Sequence, residues 1–339
     1  MSKDSLITVE NLYRYYGELC AVHDLSFEVR RGEVLGFLGP NGAGKSTTMR
    51  IIGGSLAPSG GRVLINGIDI LDQPTLAKAE LGYLPETPPL YRDLTVDEYL
   101  AYCARINRIA RAQQRGAIDS AKERCGLTDV GRRLIANLSK GFQQRVGIAQ
   151  AIIHSPAVVL LDEPTVGLDP IQIREIRTLI REVANEHSVV LSTHILPEVQ
   201  SVCDRVQIIN RGRLVLNETI GEMRAKLQAA TTLLVALRTA PPITELESIH
   251  GVQSVESLED GRLRVAYDID HDPSDAIVEQ AVANGWGLHE LTPERMTLEQ
   301  VFVDITCADT VLPHDSDANP NLGPNSNPNL NPAQAGEAA

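Results

Sequence analysis

An α/β fold with a small α+β appendage is predicted for this chain by two apolar, strand-length runs and by the polar residues that close each of them. Val34–Leu38 runs into Gly39-Pro40-Asn41-Gly42-Ala43-Gly44-Lys45-Ser46, and Val158-Val159-Leu160-Leu161 runs into Asp162 and Glu163. Unbroken apolar runs of this kind suit strands buried on both faces, as in parallel sheets, whose ligands gather beyond the carboxyl ends. The third observation is the alternation of short β-like runs with helical stretches from residue 1 to about residue 222.

Taken in order, the first element is the glycine-rich loop, which fits G-x-x-x-x-G-K-[ST]. Its glycines let successive backbone N–H groups point into one concavity suited to phosphate oxygens. Lys45 would reach the β/γ-phosphates and the Ser46 hydroxyl would bind Mg²⁺, with Thr47 completing the candidate set. A helix starting near Lys45 adds its positive end. In isolation the pattern also fits a plain Gly-rich turn.

Thr95-Val96-Asp97-Glu98 is a capping box and predicts a helix through Leu100 and Ala104. Ser139 can cap a helix through Ile153. At the end of the second apolar run, Asp162 would hold Mg²⁺, directly or through water, and Glu163 could act as general base toward an attacking water. A strand followed by an acidic turn reads the same way when taken alone. Asp169-Pro170 predicts an N-cap with proline at the first helical position. Ile173, Ile176, Leu179, Ile180 and Val183 then repeat near helical spacing.

From about Leu227 the texture changes. Strand-like Thr232–Leu237 and Arg262–Tyr267 interleave with helical Asp275–Ala283 and Leu298–Ile305, an α+β pattern. Beyond about Asp309 the chain is rich in Asn and Pro with almost no apolar content, which predicts a disordered tail.

Composition bounds the function. A chain of 339 residues accommodates one large domain and a small one. A net charge of −13 argues against a general nucleic-acid binder. It does not argue against a nucleotide, because diffuse charge is screened beyond about 8 Å. The longest apolar runs fall far short of the roughly 20 residues of a membrane span. Met1-Ser2-Lys3-Asp4 carries no secretory signal, so a cytosolic chain with only peripheral membrane contact is expected. Cys20, Cys103, Cys125, Cys203 and Cys307 form no C-x-x-C pair and read as reduced thiols.

Between the two nucleotide elements stands Leu138-Ser139-Lys140-Gly141-Phe142-Gln143-Gln144-Arg145. The order of glycine-rich loop, this segment, and Asp162-Glu163-Pro164-Thr165 resembles the nucleotide-binding subunits of ABC transporters. The family signature reads L-S-G-G-Q; Leu138, Ser139 and Gly141 match it, whereas Lys140 and Phe142 depart from it. The resemblance implies a P-loop NTPase core with an ABC-type helical subdomain (about 87–155) and an antiparallel β element. The resemblance covers about residues 5–222; with the texture and composition beyond it, the ATPase domain is expected at 1–222, the α+β appendage at 223–308 and the tail at 309–339.

The same resemblance implies roles. Ser139 and Gly141 would meet the γ-phosphate of an ATP held by a second copy of the chain, and Asp169 of Gly167-Leu168-Asp169 would touch that partner. His194 looks like the switch histidine at the γ-phosphate and attacking water, and Tyr16 like the platform for adenine, a contact of roughly 1–3 kcal/mol. Glu86 stands where the family usually has a Mg²⁺-binding glutamine, and adds a negative charge there. That carboxylate, Pro88–Tyr91 and the closing Thr297–Phe302 are similar to a branch linked to drug export and gliding motility. The expectation is an ATPase that powers transport by closing and opening a dimer around ATP and Mg²⁺. It would sit on the cytoplasmic side of the membrane through a separate multi-span permease received near Thr87–Arg92. An ABC ATPase of translation or DNA repair is the alternative. One glycine-rich loop per chain and a spacing of about 120 residues, too short for a coiled coil, weigh against it. A P-loop kinase or GTPase would lack the Ser139 segment and His194.

Overall fold

The computed structural model describes residues 4–228, 232–258, 260–268 and 271–294. Strands β1 (Ser5–Tyr16), β2 (Leu19–Arg30) and β3 (Val34–Leu38) lead to helix α1 (Lys45–Ile52). Then come β4 (Gly60–Ile65), β5 (Ile68–Asp69), α2 (Pro74–Ala79) and β6 (Leu81–Leu84), followed by three helices, α3 (Val96–Ile106), α4 (Arg111–Arg124) and α5 (Lys140–Ile152). The chain returns through β7 (Val158–Asp162), α6 (Pro170–Ala184), β8 (Ser188–Thr193), α7 (Leu196–Val202), β9 (Arg205–Asn210), β10 (Arg213–Thr219) and α8 (Ile220–Gln228).

The central sheet has the order β10-β9-β3-β8-β7-β6, parallel from β9 to β6 with β10 as an antiparallel edge. Because successive side chains of a strand point to opposite faces, an unbroken apolar run must be covered on both. That is what happens here. Leu38, Val159, Leu161, Val189 and Leu191 pack into a core with α3 to α7, while Phe37, Val158, Leu160 and Val190 pack into another with α1, β1, β2 and β4. Strands β2-β1-β4-β5 form the antiparallel sheet over that second face.

Local signals set the helix ends. Thr95 and Glu98 exchange both bonds of the capping box, at 2.8 and 3.2 Å. The Asp169 carboxylate accepts from the backbone N–H groups of Ile171 and Gln172 at 3.0 and 2.9 Å, with Pro170 at the first helical position. Thr219-Ile220-Gly221-Glu222 is a second capping box that opens α8, and the boundary expected at residue 222 falls inside this helix.

The remaining described chain comprises β11 (Thr232–Leu237), α9 (Ile243–Glu247), β12 (Val252–Ser257), β13 (Leu263–Tyr267), α10 (Ser274–Ala283) and β14 (Leu288–Pro293). Its antiparallel sheet has the order β12-β13-β11-β14, the arrangement of a split β-α-β unit. Leu233, Val235, Val265, Leu246, Ile277 and Trp286 give it a core of its own. The helical run expected at Leu298–Ile305, the Thr297–Phe302 stretch and the tail from 309 lie outside the described residues.

Candidate active site

Four neighbouring parallel strands deliver the candidate residues to one edge of the sheet. The glycine-rich loop follows β3, His194 follows β8, Glu163 follows β7, and Glu86 lies two residues past β6. Registers fix these ends together: Leu38 pairs with Thr193, Asp162 with Ser192, and Leu84 with Leu161. A cavity of about 380 Å³ opens there, lined among others by Asn41, Gly42, Gly44, Lys45, Ser46, Thr47, Glu86, Glu163 and His194.

The loop takes its shape from glycine. Gly44 caps α1 at φ 103°, and a Cβ on it would lie 2.5 Å from the Ala21 carbonyl oxygen. Helix α1 therefore begins at Lys45 with its free N–H groups toward the cavity side of the loop. Lys45, 5% exposed, donates to the Gly39 and Pro40 carbonyls at 2.8 and 3.2 Å. Its Nζ also lies 3.4 Å from Glu163 Oε1. The other Glu163 oxygen is 2.9 Å from His194 Nδ1, so the carboxylate bridges the lysine and the imidazole.

Glu163 sits in the left-handed region at φ 47°, turning the chain sharply off the strand. Its N–H donates to the carbonyl and the hydroxyl of Ser192, both at 3.1 Å. Asp162, 2% exposed, accepts from Ser46 Oγ at 3.1 Å and from the Ser192 hydroxyl. Burial pushes the Asp162 carboxyl above its ordinary range. The two hydroxyls pull it down, and the nearby Glu86 carboxylate adds to the rise.

Not all the candidate residues line this cavity. Ala43 is buried within the loop, and Tyr16 stands at the end of β1, 42% exposed, with the Arg14 guanidinium 4.7 Å above its ring centroid. Ser139 caps α5 through a 3.4 Å bond from Phe142 N–H, and Gly141 packs against Gln172 of α6. A Cβ on Gly167 would lie 2.2 Å from Lys140 Nζ, so the Ser139 segment and the Gly167–Asp169 loop form one neighbouring surface. Neither Ser139, Gly141 nor Asp169 is among the cavity's lining residues.

Ser192, Ala21 and Val166 belong to the site without being singled out in the sequence. Ser192 lies in an apolar strand, and its partner Asp162 is 30 positions away, joined to it only by sheet register. A second groove, of about 1070 Å³, lies between α2 and the α3–α4 corner, with Leu76 and Ile106 exposed on its walls.

A parallel sheet whose first helix starts in a Gly-x-x-x-x-Gly-Lys-Ser loop, with an acidic pair at the end of a strand two places away, defines a P-loop nucleoside-triphosphatase. The sequence model for the family described as ABC transporter matches residues 22–166. The bacitracin transport ATP-binding protein BcrA of Bacillus licheniformis is 31% identical over 91% of this chain and 99% of its own length. The Bacillus subtilis ABC transporter ATP-binding protein YdbJ is 33% identical over 90% of this chain and 96% of its own. A solved ATP-binding subunit of an ABC transporter superposes with a TM-score of 0.60 at 32% identity, covering 66% of this chain and 94% of that one. The chain belongs to the family of ABC transporter ATP-binding proteins. It is an ATP-hydrolysing subunit of such a transporter, and the α/β fold class expected from the sequence is the observed one.

Proposed function

We propose that this chain powers an exporter as one of two ATPase copies, through residues 1–222, with residues 223–308 as an appended unit and 309–339 as a tail. The observation that carries the reading is the division of the candidate residues. Lys45, Ser46, Glu86, Glu163 and His194 share one cavity, while Ser139, Gly141 and Asp169 belong to a different surface. A site completed by a second copy would use both, each chain offering its Ser139 segment to the ATP in the other's cavity. ATP then favours the closed pair because only there does it gain the second set of contacts.

Within each site, the loop amides from Gly39 to Thr47 and Lys45 would hold the phosphates, and Tyr16 would stack on adenine. Glu163 takes a proton from water, with His194 holding the carboxylate and meeting the γ-phosphate. Ser46, Asp162 and Glu86 would hold Mg²⁺. Their all-oxygen donor set fits a hard cation, and Ser46 Oγ already lies against Asp162. When bound, the ion supplies charge neutralisation for the triphosphate. Glu86 in place of an amide weakens phosphate binding by like charge without removing an oxygen donor.

The transport path would lie in another protein; no helix among the described residues is long and apolar enough to cross a membrane. We assign the partner as a multi-span permease seated on the cytoplasmic side near Thr87–Arg92, where Tyr91 is 54% exposed. The export direction is supported by relatives named for bacitracin transport and, in Escherichia coli, as a probable multidrug transporter subunit. The test is a mild-detergent pull-down of the tagged full chain from native membranes with mass spectrometry. Recovery of one multi-span membrane protein is expected; recovery only from the soluble fraction, alone or with ribosomes, would overturn the transporter partnership.

A further inference from the structure

Glu198 lies on α7, outside the cavity, and is 1% exposed. One of its oxygens accepts from the Thr165 hydroxyl, and the other accepts from the Thr193 hydroxyl at 2.7 Å. The cation facing it is Arg177, 3.7 Å away. Thr165 follows Glu163 by two positions, and Thr193 immediately precedes His194. The Thr193 hydroxyl also accepts from the N–H of Ile195 at 3.0 Å, so both sides of His194 are tied to the same group.

These bonds close a ring. From Glu163 the chain passes through Pro164 to Thr165, crosses to Glu198, crosses again to Thr193, reaches His194, and returns to Glu163 through the 2.9 Å bond. A carboxylate this deeply buried is costly, and the Arg177 guanidinium is too distant for a hydrogen bond. An apolar side chain of similar volume would pack on α7 at less cost. What it could not do is hold two loops from adjacent strands at one spacing.

We propose that Glu198 is a positioning residue: through Thr165 and Thr193 it fixes the distance between Glu163 and His194 at which the water-activating carboxylate is held. This role rests on those given above to Glu163 and His194. A looser ring leaves ATP binding intact, because Glu198 touches neither the glycine-rich loop nor Tyr16. It slows the chemical step, where a misplacement of about 1 Å can cost on the order of a hundredfold.

The test is a double-mutant cycle on the full chain, reading steady-state hydrolysis and the affinity for a fluorescent ATP analogue. Glu198→Ala is expected to lower kcat by about tenfold or more while affinity changes by less than about threefold. Glu198→Gln can still accept from one threonine and donate to the other, and is expected to recover most of the rate. In a His194→Ala background, Glu198→Ala is expected to cost less than about twofold, since the ring is already open. If Glu198→Ala does not fold, Thr193→Val, which removes one hydroxyl at nearly constant volume, carries the same cycle with an expected loss of about threefold. An equal loss with and without His194, or a loss of affinity matching the loss of rate, would overturn the proposal. A His194→Ala chain that hydrolyses ATP at the parent rate would instead overturn the role of His194, and the positioning role with it.

Discussion

Glu163 shares its carboxylate between two partners from different segments, His194 Nδ1 at 2.9 Å and Lys45 Nζ at 3.4 Å. A base placed between a cation and an imidazole is held at one orientation, which is what activation of a single water requires. Glu163→Gln keeps the shape while removing the charge and the proton acceptor. Phosphate release is expected to fall by about 10²–10⁴-fold. The ATP-bound pair should persist on gel filtration, and full turnover by this variant would remove Glu163 from the role of base.

Tyr16 is half-exposed at the end of β1, with Arg14 against one side of its ring. An exposed aromatic with a free face is a platform for a planar base. Tyr16→Ala is expected to weaken ATP by about 1–3 kcal/mol, and Tyr16→Trp to keep it. Titration with a fluorescent ATP analogue measures both, and equal affinities for all three chains would place adenine elsewhere.

Glu86 lines the same cavity as Lys45, and its carboxylate helps to raise the protonation range of Asp162. Glu86→Gln removes one negative charge beside the triphosphate. ATP affinity is expected to rise by about threefold to tenfold, more at low salt than at high. Calorimetry at two salt concentrations checks this; a fall in affinity would mean that the carboxylate contributes more as a ligand than it costs as a charge.

Two histidines make the fold sensitive to acid. Burial lowers the pKa of His154 and of His187, against the upward pull of the Leu81 carbonyl at 3.0 Å and the Pro156 carbonyl at 2.6 Å. Both folded-state values lie below those of the unfolded chain, so the unfolded chain binds protons first as pH falls. The neutral rings therefore contribute full stability above about pH 6.5 and lose it progressively below, down through their folded-state values. The melting temperature is expected to drop between pH 7 and pH 5, and to drop less in His154→Gln. An identical slope in that variant would assign the acid sensitivity to other groups.

Much of the site was legible because its signals are local. The Gly39–Ser46 loop, the acids closing β7, the Thr95 capping box and the Asp169-Pro170 helix start are each written within a few consecutive residues. What escaped the sequence depends on pairing. Ser192 reaches Asp162 because β7 and β8 are parallel in one register, and Glu198 reaches Thr165 across 33 positions. No spacing rule connects such residues before the sheet is built. The order of β11 to β14 was hidden for the same reason, since strand-like runs do not state their neighbours. The capping box at Thr219–Glu222 was the exception, a local pattern that could have been found.

The left-handed backbone at Glu163 has a consequence for how this position can change over evolutionary time. Asparagine, aspartate and glycine enter that region most readily, and a β-branched residue there is an outlier. A single-base drift from glutamate to valine would therefore be penalised twice, once for lost chemistry and once for a turn the new residue resists. Under the role proposed for Glu163, asparagine and glycine would fit this turn while removing the proton acceptor, so loss of activity at this position would lead more readily to an intact, inert ATP-binding subunit than to a misfolded one.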